Sequence, residues 1–186
     1  MDSNGSEPAP THRVDCVSRQ VRRPGASDAA RIWSLVKQTS ALDENSPYAY
    51  LLLCTDFAET GAVAEGDGGL AGFVLGYRPP ARPESYFVWQ IGVANEARGQ
   101  GLGHALLEWV VDRARPLGVR FLEATVTPSN HASQALFEAF ARRTGSAVSE
   151  ETAFAADLFP GADHEAEVRI RIGPLNDPSR ESQEYT

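Results

Sequence analysis

Residues 85–111 read SYFVWQIGVANEARGQGLGHALLEWVV. The first part, SYFVWQIGVA, is aromatic and β-branched, which predicts a strong strand. A turn follows with glycines at 99, 101 and 103. The apolar run beyond it predicts a helix over 101–115, stopped by Pro116 and Gly118. A glycine turn between a strand and a helix is a place to hold a phosphate. Glycines let backbone N–H groups approach phosphate oxygens with no side chain in the way. Those N–H groups have no partner inside the helix, and the helix start carries about half a positive charge.

Working outward, strands and helices alternate, without an internal repeat. RQVRRP reads as a first strand. SDAARIWSLVKQT reads as an amphipathic helix, with Ser27 or Asp28 as its cap and Ile32, Trp33, Leu35 and Val36 as its apolar face. ALDENSPYAYLLLCTDF is a polar loop entering a second helix, which Ser46 caps and Pro47 begins. GAVAE and LAGFVLGYR flank the tight turn GDGG as two strands. VRFLEATV is a further strand, and TPSNHASQALFEAFARRTG a capped helix ending near Gly145. An irregular acidic segment then leads to EAEVRIRIG, whose alternation suits a half-buried strand. This predicts an α/β (α+β) domain: a mixed twisted sheet of about six or seven strands with helices on both faces.

The chain has 186 residues, of which 42% are hydrophobic, so one domain with a real core is expected. Its span is read as 19–175, between a disordered leader (1–18) and a flexible tail (176–186). The leader has no apolar stretch of a secretory signal, and no run approaches the ~20 apolar residues of a membrane span. A net charge of −8 argues against nucleic acid, which needs a basic face. The two cysteines, Cys16 and Cys54, are far apart, and Cys54 lies in an apolar run, as a buried thiol in a reducing compartment would. No His spacing marks a metal site. His164 stands beside acids without a second His, and His104 and His131 read as exposed helix residues.

Three phosphate-binding turns compete. The P-loop requires a Lys after its glycines, and none is present. The dinucleotide fingerprint G-x-G-x-x-G, started at Gly99, places its third glycine at His104, although Glu123 stands about 20 residues on, where a ribose-binding acid belongs. Arg98, Gly99, Gln100, Gly101, Leu102 and Gly103 do match R-x-x-G-x-G. This resembles the pyrophosphate turn of the GCN5-related N-acetyltransferases, which hold acetyl-coenzyme A. Arg98 would add a full charge and a planar set of donors. By the same resemblance Ile91 and Val93 would meet the cofactor arm, with the Val93 backbone N–H as oxyanion donor. Asn130 and Ser133 would contact the arm from the later helix, although a turn or cap accounts for Asn130 equally well. Phe137 stands where many relatives carry a Tyr that protonates the leaving thiolate, which Phe cannot do.

Longer segments narrow the acceptor. LDENSPYAYLLLCTDF, GFVLGYRPP, FVWQIGVANEARGQGLG, FLEATVTPSNHASQALF and HEAEVRIRIGP together resemble the L-2,4-diaminobutyrate acetyltransferases of ectoine biosynthesis. That family acetylates the 4-amino group of 2,4-diaminobutyrate. The resemblance implies acetyl-coenzyme A as co-substrate, no metal, a homodimer and a cytoplasmic enzyme. Asp43 is then the expected ammonium ligand, Tyr48 a donor to the substrate carboxylate, and Trp89 a wall of the acceptor pocket. Glu150 is the expected base or amine ligand, with Glu151, Asp163 and Glu165 nearby in sequence. A loop acid, a core aromatic and a solvated acidic segment would account for the same residues. Competing functions are an acetyltransferase for peptide N-termini or polyamines, and a non-catalytic acetyl-coenzyme A sensor.

Overall fold

The computed structural model describes residues 20–39, 42, 44–160 and 164–175. The elements follow in the order β1 (Val21–Arg22), α1 (Asp28–Gln38), α2 (Pro47–Thr55), β2 (Ala62–Gly66), β3 (Gly69–Tyr77), β4 (Ser85–Val93), α3 (Leu102–Ala114), β5 (Phe121–Val126), α4 (His131–Thr144), β6 (Val148–Phe154) and β7 (Glu167–Ile172). The strands form one seven-stranded sheet in the order β1-β2-β3-β4-β5-β7-β6. All neighbours are antiparallel except β4 and β5, which are parallel and joined through α3. The leader and tail read from the sequence lie outside the described residues.

Helices cover both faces. On one face, Leu102 and Leu106 of α3 lie over Gly72 of β3. Helix α4 packs beside α3, where Arg143 pairs with Glu108 at 3.0 Å and Leu136 packs on Gly103. On the other face, Tyr50 of α2 meets β4. Tyr50, Phe73, Leu106, Leu107, Leu122 and Phe140 are fully buried, so the core fills both sides of the sheet.

The caps divide cleanly. Ser46 accepts the Tyr48 N–H and Pro47 opens α2, as its spacing predicts. Ser27 makes no side-chain cap on α1. The Asp28 carboxylate instead accepts the Gly25 N–H at 2.9 Å and binds Arg22 and Arg31. Gly145 ends α4 in the left-handed region. The acidic segment expected to be irregular is in part a strand: β6 pairs with β7 from Val148↔Ile172 onward. It is an edge strand exposed along almost its whole length, so it lacks the buried–exposed alternation by which a strand is read.

Candidate active site

The site begins where β4 and β5 part. Their parallel register ends at Val88↔Ala124, yet β4 runs on to Val93 and β5 to Val126. Past the last pair, each strand turns one row of backbone groups into the gap. Direction along β4 follows from a neighbouring bond. Ala94 N–H donates to Ala71 O on β3 at 2.8 Å. Successive N–H groups of a strand point to opposite edges, so the Val93 N–H points away from β3, into the gap. The Val93 carbonyl shares that edge, and Arg98 Nε reaches it at 3.4 Å.

The glycine turn closes one end of the gap. Gly99 and Gly101 have φ of 72° and 77°, a backbone region open to glycine at little cost. Gly101 is the N-cap of α3 and offers no side-chain cap. The first N–H groups of the helix are therefore left for an outside acceptor, beside the Arg98 guanidinium. Gln100 sends its amide back to the Glu96 carbonyl at 2.8 Å, so only its backbone serves the turn. Leu102 is buried under the turn.

Helix α4 forms the other wall. Asn130 Oδ1 accepts the Ser133 N–H at 3.1 Å, so its carbonyl is committed to capping and its amide N–H₂ is what remains to donate. Between these walls lies a cleft of about 400 Å³. Ile91, Val93, Arg98, Gly99, Gly101, Leu102, Gly103, Asn130 and Ser133 all line it. Among the residues expected on the cofactor side, Phe137 is buried in the core and Gln100 stands outside the lining. Thr39, Leu42 and Leu136 line the cleft without having been singled out in the sequence, and His104 lines it with them. His104 was read as an exposed helix residue; it is half-buried, because the first turn of α3 leans over the gap.

The arrangement offers a phosphate-binding helix start, a narrow slot with strand N–H groups, and a mostly apolar lining. It fits a long thioester cofactor with a pyrophosphate. The acetyltransferase (GNAT) family profile matches residues 28–141. The L-2,4-diaminobutyric acid acetyltransferase of Halalkalibacterium halodurans is 47% identical over 156 residues, 84% of this chain and 82% of that one. The protein of the same name from Nocardia farcinica is 44% identical over 91% of this chain and 90% of its own. The chain belongs to the L-2,4-diaminobutyric acid acetyltransferase family. Among solved structures it resembles diaminobutyrate acetyltransferase EctA from Paenibacillus lautus, in complex with its substrate L-2,4-diaminobutyric acid and coenzyme A. The TM-score is 0.80 at 40% identity, covering 86% of this chain and 98% of that one. The ribosomal-protein-S18-alanine N-acetyltransferase of Escherichia coli, at 21% identity and a TM-score of 0.62, shares the fold.

Membership in the diaminobutyrate acetyltransferase family overturns the dinucleotide reading, and Glu123 gives the physical reason. Its carboxylate is fully buried on β5. It accepts from Ser85 Oγ at 2.7 Å and Arg82 Nε at 3.0 Å, and Arg171 lies 3.1 Å away. A carboxylate so enclosed has no surface left for a ribose.

The acceptor-side residues are less gathered. Trp89 is partly buried on β4, edge-on to Tyr50 at 5.6 Å. Tyr48, in the first turn of α2, is 65% exposed and stands outside the cleft lining. Glu150 is exposed on β6, opposite Ile170, and β5 and β7 separate its strand from β4. Glu151 pairs with Arg169 at 2.7 Å, and Glu165 accepts from the Ser129 hydroxyl in the turn before α4. His164 stacks on Phe159 with ring centroids 3.7 Å apart. Among the described residues no three His, Cys, Asp or Glu side chains converge as a metal site. Asp43 and Asp163 lie outside the described residues. Cys54 is buried, and burial pushes its thiol up to about 12.

Proposed function

We propose that this chain transfers the acetyl group of acetyl-coenzyme A to the 4-amino group of L-2,4-diaminobutyrate. The product is N4-acetyl-L-2,4-diaminobutyrate, for ectoine biosynthesis. The observation that carries the reading is the 40% identity, across nearly all of its length, to a protein solved with L-2,4-diaminobutyric acid and coenzyme A. The cleft agrees with it chemically. The N–H groups at the start of α3 and Arg98 would receive the pyrophosphate. Asn130 and Ser133 would border the cofactor arm. The Val93 N–H, aimed into the gap, would stabilise the negative charge that develops on the thioester oxygen.

Transfer is direct, in a ternary complex. The amine, with a reference pKa of about 10, must lose its proton before it attacks. Among the described residues the cleft lining holds no carboxylate. By resemblance to the diaminobutyrate acetyltransferases, we assign the ammonium to Asp43, the substrate carboxylate to Tyr48 and the pocket wall to Trp89. Glu150 would act as base or amine ligand from a second chain, because its own strand lies away from the cleft. The homodimer this requires is supported by apolar side chains exposed at both places: Tyr48 and Leu51 on α2, and Val148 and Phe154 on β6. No covalent enzyme intermediate is needed, which agrees with a buried, weakly acidic Cys54. Phe137 has no proton to give, so the thiolate leaves without help from that position. We place the enzyme in the cytoplasm, as the family resemblance implies. No helix among the described residues is long and apolar enough to cross a membrane.

The test is free-thiol release from acetyl-coenzyme A with and without diaminobutyrate, using wild type, Asp43→Ala and Glu150→Ala. Acetyl position is read by NMR and mass by light scattering. Diaminobutyrate-dependent turnover to the N4 product, lost in Asp43→Ala, supports the reading. Turnover with peptides or polyamines instead, or binding without any turnover, overturns it in favour of another acceptor or a sensor.

A further inference from the structure

Strand β4 serves both faces of the sheet within five residues. Ile91 and Val93 turn to the cofactor cleft, while Trp89 and Gln90 both turn to α2. Strict alternation forbids two neighbours on one side. The register supplies the answer. Leu75 pairs with Gln90 and Gly76 with Val88, so Trp89 is an extra residue in β4. An extra residue puts two successive side chains on one side and inverts the alternation beyond it. The inversion is visible downstream. Val93 Cγ2 packs toward Gly103 on the α3 face, whereas Gly92 faces α2, where a Cβ would lie 2.7 Å from Phe73 and 2.9 Å from Leu42.

One side chain grips both bulge residues. The Tyr50 hydroxyl donates to Gln90 Oε1 at 2.9 Å, and its ring meets Trp89 edge-on at 68°. Asn45, at the entry to α2, hydrogen-bonds the same hydroxyl. Tyr50 is fully buried and Gln90 nearly so. A buried hydrogen bond of this kind discriminates between registers, because the wrong register strands its polar groups away from water.

We propose that the Tyr50–Gln90 hydrogen bond latches the β4 bulge, making the two side chains positioning residues that aim the Val93 N–H into the cleft. A slip of the bulge would turn that N–H toward β3 and Ile91 away from the cofactor. The latch also ties Trp89, the acceptor wall, to the same hinge point. The assignment rests on the acetyl-transfer reading of the cleft.

The experiment uses the full chain with Tyr50→Phe, Gln90→Met, the double variant, and Gln90→Glu, which keeps an acceptor oxygen. Acetyl-coenzyme A affinity by calorimetry should stay within about twofold of wild type, while kcat with diaminobutyrate falls about tenfold in each single variant. The double variant should be no worse than the singles, and Gln90→Glu should recover most of the loss. Unchanged kcat in both singles, additive losses, or a kcat loss matched by lost melting temperature and lost cofactor affinity would overturn the latch. A second readout needs no acceptor: the shift of the Val93 amide NMR resonance on adding acetyl-coenzyme A. If it is identical in wild type and Tyr50→Phe, the latch is wrong whatever the acceptor. If it is lost in Tyr50→Phe while wild type ignores diaminobutyrate, the latch stands and the acceptor assignment fails.

Discussion

Glu123 on β5 and Arg171 on β7 face each other across paired strands, with Arg171 Nη1 3.1 Å from Glu123 Oε1 and the carboxylate fully buried. Arg82 and Ser85 take up the rest of that carboxylate. Arg171 also lies over the Phe121 ring at 3.8 Å and reaches Glu84 at 3.3 Å. The network binds the loop before β4 to the far half of the sheet. It therefore supports the fixed ends from which β4 and β5 diverge.

Removing the carboxylate should leave Arg82, Arg171 and Arg169, whose Nε lies 3.9 Å from it, facing one another. Glu123→Leu is expected to lose about 3–5 kcal/mol of stability in urea unfolding, because the partners of a buried pair are left uncompensated. Glu123→Gln keeps hydrogen bonds without charge and should lose less. Equal stability of all three proteins would show that the network contributes nothing.

Asp28 sets an acid limit. Hydrogen bonds from Arg22, with help from the Gly25 N–H and Arg31 and against the cost of burial, hold its carboxyl at about 2, below the reference 3.8. A depressed carboxyl stabilises the fold above its unfolded value and loses that contribution as pH falls through its folded value. Wild type should thus lose stability between pH 3.8 and about 2 in step with this group. Asp28→Asn should be about 2 kcal/mol less stable at neutral pH and should lack that part of the acid transition. Melting temperatures across the acid range check both.

Among the described residues, the Arg98 side chain reaches the Val93 carbonyl, at 3.4 Å. Arg98→Ala should raise the KM for acetyl-coenzyme A about tenfold with little change in melting temperature. The wild-type KM should also rise with salt more steeply than that of the variant.

Asn130 separates capping from binding. Asn130→Asp keeps the oxygen that accepts the Ser133 N–H and removes the donor facing the cleft. It should keep wild-type stability and raise the KM for acetyl-coenzyme A. Asn130→Ala should show the same kinetic defect and lose about 1 kcal/mol as well. A normal KM in Asn130→Asp would reduce the residue to a helix cap.

Cys54, its thiol pushed up to about 12 chiefly by burial, should be inert at neutral pH. In a Cys16→Ser background, native protein should not react with a disulfide reagent until unfolded, and turnover should survive thiol-blocking reagents. Rapid labelling with loss of activity would reopen a covalent mechanism.

Much of this was legible in the chain itself. Local chemistry set the caps at Ser46 and Gly145, the glycine turn from Gly99 to Gly103, and the strand and helix that flank it. Each depends on neighbours a few residues away. The strand character of Val148–Phe154 was not legible, because an exposed edge strand carries no burial pattern. Nor was the lining role of His104, which depends on how the first turn of α3 leans over the gap.

What the sequence determined by itself was the run of elements and the phosphate turn, since helix caps, glycine φ values and strand alternation are properties of short segments. The tertiary structure decided the rest. It enclosed Glu123 among arginines from the loop before β4 and from β7, ended the β4–β5 pairing at Val88, and placed an extra residue at Trp89 that turns Val93 toward the cleft. These features join residues between 12 and 48 positions apart through burial and register. Burial and register are set only when the whole sheet has closed around them.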